Sequence, residues 1–521
     1  METNCKVCII GAGISGLSAC KYALSKGYNP IVFESKSTIG GAWTNTLEIT
    51  KLQTPKQLYQ FSDFPWPSSI STLYPDKDQV KEYLNSYAKQ FDLLKYIKFN
   101  TQVLSIKYEG PSHEEIQSWA LWNGNGDPFG NKGKWILTTQ ELPNQSIKMM
   151  EAEFVILCIG RFSGLPNIPK FPSSKGPEVF EGKVMHSMDY SALDYDSARN
   201  LVKGKSVTVV GFQKSALDTA MECSNANGKE LPCTMICRNP HWNVPENFPW
   251  GINISNLYLN RFSELLLHKP GEGLLLSLLA SFLSPLRWGI SKVVEASIKK
   301  KYPIKKYGMV PDHSFLQEMN TCTFATIPEG FYENVEKGNI ILKRAPSFSF
   351  FNGGVVLEDS SIGYKEYIKT DLVILATGFK GEQKLKHIFE SQFFQDCLFG
   401  PLHNTIHLYR ECIHPKIPQL AIIGHSESGS NLYTSEMRCR WLFELLDGKF
   451  KLPSVEAMEN DILEWCKFMK MYSGNNYKRA CIGALHIWYN DQLCKDMGIN
   501  HRRKNGFWAE LFQPYGPLDY A

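Results

Sequence analysis

The chain of 521 residues is marked first by what it lacks. It has no long hydrophobic run: the longest nearly apolar stretch, Leu274 to Leu286, covers 13 residues and stops at Arg287. A membrane-crossing helix needs about 20. It has no excess of one charge, since 56 Lys and Arg stand against 52 Asp and Glu and the net +4 is dispersed. That balance argues against a nucleic-acid partner. It has no cysteine framework, because the 14 Cys show no repeated spacing and read as reduced thiols of an intracellular protein. The start does not fit a secretory signal, as an apolar strand begins near Lys6 and a glycine loop follows at once. The terminal Leu518-Asp519-Tyr520-Ala521 is neither a retention nor a prenylation signal. No metal site is expected either. His403 and His407 are separated by residues that read as loop or strand, and Cys5 and Cys8, which have the spacing of a redox dithiol, fall on one strand facing opposite ways, so no dithiol is expected. Gly424 to Gly429 lacks the spacing of a nucleophile elbow. What remains is a cytoplasmic, multi-domain globular chain, 43% hydrophobic and 21% charged.

What is present begins at Lys6. Val7 to Ile10 is a short β-rich run of the kind buried in a parallel sheet. Gly11-Ala12-Gly13-Ile14-Ser15-Gly16 follows, then a helical segment to Lys26, a second strand from Asn29 to Phe33, and Glu34. Each part has a physical role in binding a dinucleotide. Gly11 makes the tight turn, Gly13 admits a pyrophosphate to the backbone, Ser15 stands at the helix entry, and Gly16 lets helix and strand pack. Glu34 can hold a ribose hydroxyl and repels a 2′-phosphate. The expected ligand is FAD or NAD rather than NADP. Gly41 and Trp43, just after the acid, suit the passage of a flavin's phosphates and ring.

A second unit starts at Ser206 to Val210 and enters Gly211-Phe212-Gln213-Lys214-Ser215-Ala216. Gln213 replaces the second glycine of the motif and Ala216 the third, an accepted variant. The next strand, Cys233 to Cys237, ends in Arg238, which favours the 2′-phosphate of NADP. The candidate cofactor contacts here are Gly211, Lys214, Ser215, Ala216 and Arg238. Together the two units predict FAD in the first and NADPH in the second.

Between them, Phe180-Glu181-Gly182-Lys183-Val184-Met185-His186-Ser187-Met188-Asp189-Tyr190 resembles the FxGxxxHxxx(Y/F) signature of flavin-containing monooxygenases at every fixed position. Phe61-Ser62-Asp63-Phe64-Pro65, the Ala376-Thr377-Gly378 motif, and Asn431-Leu432 with Ser435-Glu436 and Arg440-Trp441 are similar to further family segments. The tail, with Cys494-Lys495-Asp496-Met497-Gly498, resembles plant members. The resemblance implies that NADPH reduces FAD, that O2 adds as a C4a-hydroperoxyflavin, and that one oxygen passes to a nucleophilic nitrogen of a small metabolite such as an amine, alkaloid or amino acid. S-oxygenation of a thioether, or NADPH oxidase activity releasing H2O2, are the alternatives. It adds Ala376, Thr377, Gly378 and Asn431 as cofactor contacts. It also implies that Gln53, counted back from Lys56, takes the place of an Asn that contacts flavin and nicotinamide. His186 is read as structural.

The expected architecture is α/β, with two Rossmann-like domains and a helical C-terminal extension. Residues 1–176 and 327–450 would form the FAD domain, 177–326 the NADPH domain, and 451–521 the extension. Asp371 to Leu375 would be a flavin-domain strand. Residues 274–301 combine the apolar run with an amphipathic basic helix. One reading is a helical insertion packed on the NADPH domain, which we favour; the other is contact with a membrane surface, including peripheral association with the endoplasmic reticulum.

Overall fold

A computed structural model describes residues 2–130, 132–245, 257–359, 363–399, 406, 408–474 and 481–521. His403, His407 and the side chain of Cys5 lie outside the described residues. In chain order the strands are β1 (Glu2–Ile10), β2 (Ile31–Phe33), β3 (Ile97–Lys98), β4 (Thr101–Glu109), β5 (Lys134–Glu141), β6 (Ser146–Leu157), β7 (Lys183–His186), β8 (Val207–Val210), β9 (Cys233–Cys237), β10 (Ile340–Arg344), β11 (Ser347–Phe351), β12 (Gly354–Asp359), β13 (Tyr364–Lys369), β14 (Leu372–Leu375) and β15 (Leu420–Ile422).

β1 is apolar without alternation because both its faces are covered. Val7, Cys8 and Ile9 are fully buried, and the strand pairs in parallel with β2 on one edge and β6 on the other. The sheet runs β3-β2-β1-β6-β5-β4, with β15 also on β6. On the edge away from β1, the long β6 takes two partners, β5 antiparallel over Ser146 to Ala152 and β15 parallel over Val155 to Leu157. Helix Ile14–Ser25 crosses from β1 to β2 and packs against helix Asn431–Leu446, so the first and last parts of this domain share one core.

The second sheet runs β10-β9-β8-β14-β7, and its pairings are all parallel among the described residues. Helix Lys214–Asn227 joins β8 to β9. The antiparallel β11-β12-β13 meander lies between β10 and β14 in the chain. The α/β, two-unit architecture is as expected, but one strand assignment is corrected. Leu372–Leu375 pairs with β7 and β8, and Ile340–Arg344 with β9, so both belong to the second sheet. The chain therefore does not return to the flavin domain at 327; the return comes after β14. A four-residue buried strand carries the same apolar pattern in either sheet, and only the open edge of β8 selects β14.

The cysteine expectation is also corrected. Cys322, at the C-cap of helix Phe315–Thr321, forms a disulfide with Cys481, 159 residues away. Helices Val455–Ser473, His486–Asp496 and Phe507–Phe512 make up the tail. The first packs on helix Phe315–Thr321 and the second on helix Asn431–Leu446, so the tail ties the two cores together.

The packed-insertion reading of 274–301 holds for one of its two helices. Helix Ser284–Lys301 buries Val294, Glu295 and Ile298 in the second core. Helix Leu274–Phe282 buries only Ala280.

Candidate active site

The first glycine loop is built by exclusion. Gly11 has φ +104°, and a Cβ there would stand 2.5 Å from the Cys158 carbonyl oxygen. A Cβ on Gly16 would stand 1.8 Å from the Gly11 oxygen, so nothing larger than glycine lets this helix approach its own loop. Gly13 has ordinary extended backbone, but Gly41 Cα would lie 3.4 Å from a Cβ there. The Gly40 N–H donates to the Ala12 oxygen at 3.1 Å, which holds the two loops together. Helix Ile14–Ser25 has no side-chain cap, so its first-turn N–H groups are left for an anion. Glu34 is buried, and its carboxylate accepts from the Ala12 N–H at 2.8 Å and the Lys36 N–H at 2.9 Å. The acid that would hold a ribose is thus fixed by the loop it faces. Trp43 donates from Nε1 to the Tyr59 hydroxyl at 2.8 Å, and burial pushes that phenol up to about 12.

The second loop explains its missing glycine. Gly211 has φ +140°, and a Cβ would stand 2.5 Å from the Ala376 oxygen, so glycine is required there. Gln213 has φ −106° and ψ −177°, extended backbone open to any residue, and its Nε2 donates to the Thr323 carbonyl at 3.1 Å. The side chain that replaces a glycine is therefore anchored to another segment of the wall. Ala216 Cβ would lie 3.2 Å from a Cβ on Gly211. Lys214 pairs with the buried Asp218 at 2.7 Å, and Thr50 donates to the other Asp218 oxygen at 2.7 Å. Ser215 and Arg238 are exposed.

Both loops open into one cavity of about 1650 Å³. Sites for a single small ligand run to about 1,000 Å³, so the space suits two dinucleotides. Its walls include Gly11, Gly13, Ser15, Glu34, Gly41, Trp43 and Gln53 from the first domain. Gly211, Lys214, Ser215, Ala216 and Arg238 line it from the second, with Ala376, Thr377, Gly378 and Asn431 from the later segments. Gly16 alone of the predicted residues is not on the wall, in keeping with its packing role. Gln53 accepts from the Thr326 N–H at 3.2 Å through Oε1, so the hydrogen-bonding capacity it brings to the cavity is that of its Nε2 donors. Thr377 donates from Oγ1 to the Asn167 oxygen at 2.5 Å, and Asn167 N–H donates to the Gly378 oxygen at 2.9 Å, which fixes the turn after β14. Asn431 accepts at Oδ1 from the Ser428 N–H at 2.7 Å, closing the turn into helix Asn431–Leu446.

Some residues on the wall carry no motif. Lys384, on helix Gly381–Ile388, donates to the Ile159 oxygen and to Ser163 Oγ at 2.9 Å. Burial lowers its ammonium to about 8, with Glu34 acting the other way. His425 is held at about 3 by burial and by Arg161, Lys384 and Arg438, so it is neutral in the working range. Arg161 pairs with Glu382 and lies 3.7 Å from Glu427. Beside the cavity, His241 and His313 flank Glu318, with ligand-type atoms within 4.8 Å of one another. Burial alone would raise the Glu318 carboxyl, but the two imidazoles outweigh it and hold it well below the usual range. The Trp242 N–H and the Thr323 hydroxyl also donate to it.

The signature strand β7 supports this cavity from the edge of the second sheet. A Cβ on Gly182 would stand 2.5 Å from the Asp371 oxygen. His186 is buried, and its Nδ1 accepts from the Met188 N–H at 3.1 Å; burial holds its imidazole below the usual range. Phe61 to Pro65 meets the late segment through Ser62, whose N–H donates to Glu436 at 2.7 Å and whose hydroxyl donates at 3.0 Å.

The sequence profile of the flavin-binding monooxygenase-like family matches residues 4–503. The chain is 41% identical over 522 residues to a probable flavin-containing monooxygenase 1 of Arabidopsis thaliana, covering 99% of this chain and 96% of that protein. It is 26% identical over 510 residues to an N-oxide-forming dimethylaniline monooxygenase 2 of Oryctolagus cuniculus, covering 95% of this chain and 82% of that one. Its fold resembles the S-allyl-L-cysteine S-oxygenase of Allium sativum, with TM-score 0.57, 16% identity and coverage of 96% and 89%. With two dinucleotide loops facing one cavity and a family match over nearly its whole length, the chain belongs to the flavin-binding monooxygenase-like family, as an oxidoreductase that uses FAD and NADPH.

Proposed function

We propose that the enzyme oxygenates a nucleophilic nitrogen of a small metabolite, an amine, alkaloid or amino acid, using O2 and NADPH. The observation that carries this reading is the shared cavity. The acid-ended loop at Glu34 and the Arg-ended loop at Arg238 face one continuous space, with Gln53 on the wall. Similarity over nearly the full chain to a protein named for N-oxide formation supports nitrogen as the acceptor.

When bound, the flavin supplies the redox and oxygen chemistry, and the protein supplies position and environment. The uncapped helix N-termini at Ile14 and Lys214 offer backbone N–H groups to the two sets of phosphates. Arg238 offers a bidentate partner for a 2′-phosphate, and Glu34 excludes one from the first site. Gln53, tied to Thr326, presents amide N–H groups between the sites. His425 is neutral on this wall, while Lys214, Arg238, Arg161 and Lys384 give it cationic character suited to the phosphates of two dinucleotides. A substrate amine must be unprotonated to act as a nucleophile, and a cationic wall disfavours its protonated form.

The test is a panel of amines, amino acids and thioethers, scored by substrate-dependent NADPH consumption and by a product heavier by one oxygen atom. N-oxygenated products support the reading. Products only from thioethers support S-oxygenation, which the fold likeness to a thioether S-oxygenase favours as the second reading. NADPH consumption with H2O2 as the sole product marks an oxidase.

A further inference from the structure

Helix Leu274–Phe282 stands largely in solvent although six of its nine residues are Leu or Phe. Leu274, Leu275, Leu278 and Phe282 are 76, 84, 58 and 82% exposed. The chain then bends by 46° into helix Ser284–Lys301, which keeps Leu286, Trp288 and Val293 exposed while its other face packs on the second core. No single helix among the described residues is long and apolar enough to cross a membrane. A third element joins this surface. Helix Phe507–Phe512 exposes Phe507 and Trp508, and its Phe512 ring lies 5.1 Å from Phe262 on helix Arg261–Leu265, which also packs on helix Leu274–Phe282.

The exposed charge along 273–310 is positive, and the flanking acids Glu272 and Glu510 are paired with His268 and Arg261. From Gly273 to Val310 the chain carries Arg287, Lys292, Lys299, Lys300, Lys301, Lys305 and Lys306. The single acid in that span, Glu295, is buried and accepts from Lys292 at 2.7 Å. Protein–protein interfaces are depleted in lysine, whereas leucine, phenylalanine and tryptophan rimmed by lysine match a surface that lies in the boundary of an anionic bilayer.

We infer that this face docks on an anionic lipid bilayer, with helix Leu274–Phe282 immersed at the headgroup boundary and the lysines against the headgroups. The attachment is peripheral, and it stands independently of which atom the enzyme oxygenates.

The test is co-sedimentation of the full chain with vesicles of phosphatidylcholine alone and with vesicles containing phosphatidylserine. Binding is expected to the second kind and to weaken as salt is added. A Leu275→Glu, Phe282→Glu double variant should stay in the supernatant. A Lys299→Gln, Lys300→Gln, Lys305→Gln variant should bind about a hundredfold more weakly, at about fivefold for each lysine. Both variants change exposed residues away from the cavity and should keep the wild-type rate of NADPH consumption, which separates lost docking from misfolding. Wild-type protein left in the supernatant with both vesicle types overturns the inference. So does light scattering that shows a dimer abolished by the double variant, because the face would then belong to a second copy.

Discussion

Gly16 and Gln213 set out the residue-scale logic. At Gly16 a Cβ would collide with backbone at 1.8 Å, while at Gln213 the backbone is extended and a longer side chain finds a carbonyl to bind. The two loops therefore differ in sequence yet serve the same purpose. Arg238 is expected to supply a charge-assisted contact worth about 1.5–3 kcal/mol. Arg238→Ala should raise the KM for NADPH by about ten- to a hundredfold and leave that for NADH nearly unchanged, as steady-state kinetics with both nucleotides would read. Gln53→Ala should leave flavin content and NADPH affinity close to wild type. It should raise H2O2 release per NADPH consumed by about fivefold, the worth of one hydrogen bond. Unchanged coupling in that variant would remove Gln53 from the site.

At the scale of elements, helix Asn431–Leu446 is joined to the Phe61–Pro65 segment through a carboxyl that is costly to ionise. Burial raises Glu436 to about 7, although the Ser62 N–H favours the charged form. In the folded protein this group keeps a proton that the unfolded chain releases above its ordinary value, 4.5. Stability is therefore lost as pH rises from that value towards 7, by up to about 3 kcal/mol. Glu436→Gln should flatten this decline, seen as similar urea midpoints at pH about 5 and about 8 where the wild type falls. The disulfide between Cys322 and Cys481 links a helix of the second domain to the tail. Cys481→Ser should lower stability by about 2–4 kcal/mol and lower the thermal midpoint, whereas the same change at Cys466, which is not in a disulfide, should matter less.

The whole molecule is two sheets threaded by one chain, and the threading decides what can fold alone. Because β14 lies between β8 and β7, a fragment of residues 177–326 lacks the middle neighbour of its own nucleotide strand and also β10. That fragment should be aggregated or unfolded by circular dichroism, whereas residues 177–376 complete the sheet and should be soluble and bind NADP⁺. Equal behaviour of the two fragments would contradict the strand order. Two cofactors bound at the two loops would share one cavity, and the tail, by crossing both cores, holds the domains that form it.

The two dinucleotide loops were legible from the chain alone because their requirements are local. Gly11 and Gly211 must adopt positive φ, Gly16 must let a helix pass its own loop, and a buried parallel strand must be apolar on both faces. Glu34 and Arg238 follow those strands at fixed spacing, so their place on the cavity wall could be read with them. The tertiary structure decided whatever depends on partners far along the chain. An apolar run such as Leu372–Leu375 carries no mark of which sheet it joins, and 159 residues separate the halves of the disulfide. Lys384 and His425 acquire their shifted protonation only when folding buries them beside other cations. The apolar pattern of 274–301 pointed to a helical insertion with one amphipathic basic helix; the break into two helices, and the exposure of the first, are properties of the assembled structure.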